Sequence, residues 1–265
     1  MALSSQNKLK FSIIIVSYNA GEKISETIEN VLSQDFDNYE IIVKDGMSKD
    51  DTLERIPQNE KIRVYQEPDT GIYDAMNQAT RYAKGEYVYF LNCGDLLADP
   101  YVLKNVSDAM DDTKAIVYGD FICNHISYSS PKNYNSFKAF YKWICHQSCF
   151  FNREFLLKEG GYDCQYRLAA DYHFFVKCVV RDKNLFQYIP IPICIYERGG
   201  VSEQQKKITF HEQKLARKRE YSKVSYFFLS TIEIVCLIRL RRKINGDWVP
   251  YKLRKFIIGL LNHIR

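Results

Sequence analysis

The chain has 265 residues, of which 46% are hydrophobic and 26% charged, a balance that excludes a disordered or fibrous protein and suits one large α/β domain with or without an appendage. The net charge of +5 is unevenly spread: residues 205–265 hold 15 Lys/Arg against 4 Asp/Glu, and residues 1–204 hold 22 against 28. The eight cysteines form no Cys-x-x-Cys pair and the N-terminus is polar before Phe11, so the expectation is a reducing compartment, no structural zinc and no secretory signal.

Phe11–Ser17 is a short β-branched run that predicts a buried strand. Ile24, Ile28, Val31 and Leu32 then recur at helical spacing. Tyr39–Val43 predicts a second strand, followed by a turn-rich stretch, Lys44–Thr52, and Ile62–Tyr65 predicts a third. Ile72, Ala75, Met76, Ala79, Tyr82 and Ala83 mark one face of a helix that Gly85 ends, and Tyr87–Leu91 predicts a fourth strand. Strands alternating with helices at this spacing imply a parallel sheet with helices on both faces.

The second half is less regular. Ala115–Tyr118 predicts a strand running into Gly119-Asp120, and Phe121–Tyr128 a further one. His146–Phe151 reads as a strand and Arg153–Lys158 as a helix. Phe174, Phe175, Cys178 and Val179 mark a buried helix face starting just after Asp171, and Leu185–Ile189 and Ile193–Tyr196 read as closing strands.

Ligands of open α/β sheets bind at the carboxyl ends of the strands. Here those ends are Ser17-Tyr18-Asn19, Asp45-Gly46, Glu67-Pro68-Asp69 and Asn92–Asp95, all polar and three of them acidic. Neither G-x-G-x-x-G nor G-x-x-x-x-G-K-[ST] follows the first strand, which argues against a dinucleotide or P-loop enzyme.

The strings SIIIVSYN (12–19), EIIVKDGMSKDDT (40–52), EPDTGIYDAMNQA (67–79), GEYVYFLNCGD (85–95), YGD (118–120), HQSCFF (146–151), YDCQYRLAADYHF (162–174) and GGVS (199–202) occur in this order. Together they resemble the family 2 glycosyltransferases, in particular bacterial enzymes of exopolysaccharide, capsule and colanic-acid assembly. The resemblance runs from about residue 11 to 202 and leaves the basic tail uncovered. It implies a GT-A catalytic domain over 1–204, with 205–265 as a basic amphipathic tail.

Glycosyl transfer needs a base for the acceptor hydroxyl, a clamp for the leaving diphosphate and a grip on the nucleoside. The resemblance assigns Ser17, Tyr18, Asp45 and Asp69 to the nucleotide, and Asn92 and Gly94 to the donor side, with Asp74 a further candidate. Elementary turn chemistry offers plainer readings, in which Asp45 caps an Asp-Gly turn and Asp69 caps the helix after it. The usual Asp-x-Asp metal motif is altered, because Asn92 and Gly94 stand where carboxylates are expected and Asp95 alone remains. One carboxylate with the two phosphates and water still suits Mg²⁺ or Mn²⁺. Asp120 and His146 are candidate helpers. Asp171 is the expected general base of an inverting transfer, and Asp171→Asn is expected to abolish turnover while leaving the melting temperature nearly unchanged. Gly199–Ser202 is expected to close over the donor.

Val224–Leu240 is apolar but short and interrupted by Glu233, so no transmembrane helix is expected. Leu253, Phe256, Ile257, Leu260, Leu261 and Ile264 recur at helical spacing among basic residues, the pattern of an interfacial helix on anionic lipid. The expected partners are a nucleotide sugar, a glycan or lipid-linked acceptor, the inner face of a membrane and a second copy of the chain, but not nucleic acid. The rival readings are a nucleotidylyltransferase, which the absence of a basic residue in Val16–Gly21 disfavours, and a non-catalytic sugar-nucleotide-binding module.

Overall fold

The computed structural model describes residues 9–196 and 204–233. The chain divides into two compact units, residues 1–216 and 217–265. The first unit therefore reaches 12 residues beyond the expected boundary at 204. The Gly199–Ser202 turn and the 253–264 repeat lie outside the described residues.

Four strands, β1 (Phe11–Ser17), β2 (Tyr39–Asp45), β3 (Ile62–Gln66) and β4 (Tyr87–Asn92), run parallel in the order β3-β2-β1-β4. Every residue of β1 and β2 is buried, the signature of strands covered on both faces. Ile13, Ile15, Ile41 and Val43 pack with Ile24, Ile28 and Val31 of α1 (Lys23–Leu32). The alternating Ile14 and Ile42 are buried on the other face, where α2 (Ile72–Tyr82) lies against β1 and β2 through residues such as Met76 and Ala79. Each such side chain contributes about 1.5–3 kcal/mol on burial.

Three of these strands run longer than the sequence predicts, carrying Lys44-Asp45, Gln66 and Asn92 into the sheet. The remainder comprises β5 (Leu96–Leu97), α3 (Val102–Ala109), β6 (Ile116–Cys123), β7 (Ile126–Tyr128), α4 (Ser136–Tyr141), β8 (Cys149–Asn152), α5 (Arg153–Lys158), α6 (Ala170–Arg181), β9 (Phe186–Tyr196) and α7 (Lys206–Glu220). The path continues β4-β8-β6-β9-β5, with β8 antiparallel to both β4 and β6, and β7 pairs with β6.

Three expectations need correction. The predicted strand His146–Phe151 begins instead as a 3₁₀ turn, His146–Ser148, closed by Ser148 N–H donating to Cys145 O (3.0 Å), and only Cys149–Asn152 is strand. The predicted strand Phe121–Tyr128 is a hairpin of the end of β6 with β7, turned at Asn124 and His125, both at positive φ. The two closing strands are one, β9, which carries Pro190 and Pro192 because its pairing with β6 is irregular around Asp120. There Gly119 is required by close approach, since a Cβ would fall 2.4 Å from Ile191 O.

Candidate active site

The carboxyl end of β2 is tightly bonded. Asp45 is fully buried; its Oδ1 accepts from Ser48 N (2.8 Å), and its Oδ2 accepts from Ser17 Oγ (3.0 Å) and Ser48 Oγ (2.5 Å). The turn-cap reading of Asp45 thus fits, and its three donors leave about one of the carboxylate's roughly four acceptor sites for a ligand bond. Its neighbour Lys44 is also 0% exposed. The Lys44 ammonium donates to Glu67 O (2.6 Å), Asp69 Oδ2 (3.3 Å) and Asp45 O (3.3 Å). Two carbonyls and a carboxylate compensate a charge that could not otherwise be buried.

Asp69 also accepts from Gly71 N (3.1 Å), an Asx turn just before α2; the N-cap is Gly71 itself, so Asp69 does not cap the helix and the capping reading is corrected. Asp74 reaches back to Thr70 N (2.9 Å) and Thr70 Oγ1 (3.0 Å), fixing the same turn. Gly46 leaves room for this arrangement: a Cβ there would meet Asp69 Oδ2 at 2.7 Å and Tyr18 Cδ2 at 3.5 Å. Tyr18, Gly46 and Asp69 therefore adjoin, and the Tyr18 ring is 64% exposed, free to take a flat partner.

The turn after β4 makes a second cluster. Gly94 sits at φ +93° with its amide on Thr27 Oγ1 (2.9 Å), and the Lys23 side chain passes over it, 3.3 Å from where a Cβ would lie. Asp95 accepts from Gln147 Nε2 (3.2 Å). Burial pushes the Asp95 carboxyl up to about 6, only partly offset by hydrogen bonds from Gln147 and Asn92 and by the charges of His146 and Lys23. Asn92 Oδ1 is buried with no hydrogen-bond partner. Burial and then the nearby charges of Asp95 and Asp45 raise the Cys93 thiol to about 12, so it is inert as a nucleophile.

The third cluster is centred on Asp171 in the first turn of α6. Its Oδ1 accepts from Tyr73 OH (2.9 Å) on α2, and its Oδ2 lies 3.2 Å from His146 Nδ1 on the 3₁₀ turn. Burial works to raise this carboxyl. The hydrogen bond and charge of His146, the Tyr172 amide and the Tyr73 hydroxyl outweigh it and hold Asp171 below the usual carboxylate range. His146 Nε2 is buried with no hydrogen-bond partner.

These clusters are connected. His146 pairs with Asp171 and acts electrostatically on Asp95, the adjacent Gln147 bonds Asp95, and Cys93 senses both Asp95 and Asp45. Asp120 is engaged elsewhere, by Ser130 N (2.9 Å) and Tyr188 OH (2.9 Å). Sequence reasoning missed Lys44, Lys23, Gln147 and the contact of Tyr73 with Asp171. Lys44 carried a signal, since a lone charge closing an apolar strand demands a partner. Among the described residues, no group of three or more His, Cys, Asp or Glu side chains could hold a metal ion. No helix among them is long and apolar enough to cross a membrane.

Residues 12–165 match the profile of glycosyl transferase family 2. A PGL/p-HBAD biosynthesis glycosyltransferase of Mycobacterium bovis is 28% identical over 201 residues, covering 72% of this chain and 78% of the relative. A putative teichuronic acid biosynthesis glycosyltransferase, TuaG of Bacillus subtilis, is 39% identical over 89 residues, covering 32% of this chain and 35% of that protein. The fold is similar to S. aureus TarS in complex with UDP-GlcNAc, with a TM-score of 0.65 at 16% identity over 83% of this chain and 70% of the TarS chain. It is also similar to a mannosyltransferase of Pyrobaculum calidifontis in complex with GDP-Man and Mn²⁺, with a TM-score of 0.58 at 20% identity over 84% of this chain and 64% of the other. The fold is therefore the GT-A fold, and a family profile spanning more than half of the sequence identifies the chain as a glycosyltransferase that belongs to glycosyl transferase family 2.

Proposed function

We propose that the protein is an inverting hexosyltransferase that moves a sugar from a nucleoside diphosphate donor to a hydroxyl of a glycan or lipid-linked glycan in cell-surface polysaccharide synthesis. The observation that carries this reading is the charged Asp171 carboxylate, fixed by Tyr73 and His146 next to the cluster that contains Asp95. Its three donors, His146, the Tyr172 amide and Tyr73, leave about one of a carboxylate's roughly four acceptor sites, so an acceptor hydroxyl can still bond to it. Asp171 takes the hydroxyl proton as the oxygen attacks the anomeric carbon; the bond to the diphosphate breaks on the opposite face, and its electron pair leaves with the diphosphate.

The nucleoside lies against the exposed Tyr18 ring, with Ser17, Asp45 and Asp69 shaping the rim beneath it. Lys23 and the N-terminus of α1, beside Gly94, face the donor side with positive charge suited to the diphosphate. The orphaned Asn92 Oδ1 and the insufficiently compensated Asp95 carboxylate fit Mg²⁺ or Mn²⁺ that takes its remaining ligands from phosphate and water. When bound, such an ion neutralises charge on the leaving diphosphate.

A UDP-sugar is the favoured donor and a GDP-sugar the second, in keeping with the UDP-GlcNAc and GDP-Man complexes of the similar structures. The names of the M. bovis and TuaG relatives support the polysaccharide or glycolipid setting. The basic tail provides contact with the inner face of a membrane or with a second copy of the chain. The test is a thermal-shift screen of UDP- and GDP-sugars with and without Mn²⁺, followed by product analysis. Stabilisation by one donor and release of its nucleoside diphosphate support the reading; pyrophosphate chemistry, or binding without turnover, overturns it.

A further inference from the structure

Helix α6 presents Asp171, yet its own N-terminus is poorly provided for. The N-cap is Ala169, among the weakest capping residues, and it makes no side-chain cap bond. The acidic residue of the first turn, Asp171, would ordinarily serve the free N–H groups there. It accepts from the Tyr172 amide of that turn, and its oxygens are shared with Tyr73 and His146. The loop before the helix is only partly covered, with Tyr166 and Ala169 buried and Arg167 exposed, so its amides need a fixed acceptor to hold one path.

A second carboxylate reaches this stretch from 43–45 residues further along the chain. Glu212 of α7 is 9% exposed, and its two carboxylate oxygens accept three consecutive backbone amides: Arg167 N (2.9 Å), Leu168 N (2.8 Å) and Ala169 N (3.0 Å). Bonds from amides to a carboxylate are charge-assisted and directional. A single side chain thus sets both the path of the 167–169 loop and the starting point of α6, two residues before Asp171. Resting on the transferase reading above, we propose that Glu212 is the positioning residue for Asp171: by holding the Arg167, Leu168 and Ala169 amides that lead into α6, it fixes where the helix starts and so keeps the Asp171 carboxylate between Tyr73 and His146, where it can meet the acceptor hydroxyl.

The alternative is that Glu212 only adds stability, and the two roles separate experimentally. In Glu212→Ala, three amides lose their acceptor. The 167–169 backbone is then no longer held, and Asp171 shifts with the start of α6 away from His146. For folded protein well below its melting temperature, kcat is expected to fall about 10²-fold, the scale of a misplacement of about 1 Å, while the donor KM stays within about twofold. The isosteric Glu212→Gln keeps one acceptor oxygen, holds the fold and recovers part of kcat.

A second measurement is independent of turnover. The ¹⁵N and ¹H signals of the His146 ring report its bond to Asp171, and they are expected to shift in Glu212→Ala and less in Glu212→Gln, with faster amide exchange at Arg167–Ala169 in the same order. Unchanged ring signals, or unchanged kcat in folded Glu212→Ala, overturn the proposal. Absence of turnover by the unmodified protein with every donor defeats the transferase reading instead, and the ring signals then still decide whether Glu212 places Asp171.

Discussion

His146 Nδ1 and Asp171 Oδ2 lie 3.2 Å apart, and Tyr73 OH holds the other oxygen of the same carboxylate at 2.9 Å. Three elements far apart in sequence, the start of α2, the 3₁₀ turn and the start of α6, thus meet on one charged group. An aspartate held this way is fixed in direction as well as charge.

Asp171→Asn is expected to lower kcat by about 10²–10⁴-fold, the usual contribution of a general base. From the sequence the melting temperature is expected to stay nearly unchanged, since losing a cap costs only about 1 kcal/mol. The structure argues otherwise, because an amide cannot accept from both Tyr73 and His146, and one donor is left facing an N–H group. That mismatch costs about 1–3 kcal/mol. Thermal unfolding of the variant beside steady-state rates checks both parts; an unshifted melting curve contradicts the hydrogen bonding described here.

Tyr73→Phe removes one donor and leaves the ring packing intact. Asp171 is held below the usual carboxylate range in part by this hydroxyl, so its loss shifts that carboxyl upward. A depressed carboxyl contributes stability above its unfolded pKa and loses it as pH falls through the folded value. The acid limb of the pH–rate profile therefore moves to higher pH in Tyr73→Phe, with kcat down about tenfold, equivalent to about 1.4 kcal/mol. An unmoved acid limb removes Tyr73 from the site.

Asp95 has the opposite sign. Its folded value of about 6 exceeds the ordinary carboxylate value, so the site favours the protonated form and stability is lost as pH rises from about 4 through 6. Asp95→Asn is expected to raise stability at pH 8 by about 2 kcal/mol after allowing for partial exposure, with little change at pH 4, and to lose activity. Added Mn²⁺ should raise the melting temperature of the unmodified protein at pH 8 and not that of the variant. Equal responses of the two proteins would rule out Asp95 as a ligand.

Asp69 is tied to a fully buried ammonium, that of Lys44, at 3.3 Å. Asp69→Ala strands that charge and is expected to cost about 3–5 kcal/mol. Lys44→Met in the same background should recover much of the loss, since it removes the stranded charge. Denaturant unfolding of the single and double variants measures the coupling directly, and additive effects would contradict it.

Much of this protein was legible in its residues before any coordinates. Strict apolar runs such as Phe11–Ser17 and the helical spacing of Ile24, Ile28 and Val31 gave the parallel half of the sheet, because burial on two faces leaves little alternative. Acidic residues at three of the four parallel strand ends pointed to the ligand edge, because connectivity alone brings parallel strand ends together. The antiparallel half was less legible: His146–Phe151 reads as a strand, but its first three residues form a 3₁₀ turn, and prolines in β9 concealed a continuous strand paired across an irregular stretch.

The sequence by itself determined the alternation of elements, the glycosyltransferase family and the set of candidate carboxylates, since those depend on local periodicity and short strings. Only the tertiary structure decided how each carboxylate is used. Asp45 is closed by Ser17 and Ser48, Asp69 faces Lys44, Asp95 is left undercompensated, and Asp171 is held between Tyr73 and His146. The protonation and direction of a buried acid depend on partners that approach through space, and their separation along the chain (98 residues between Tyr73 and Asp171) leaves no mark in local sequence.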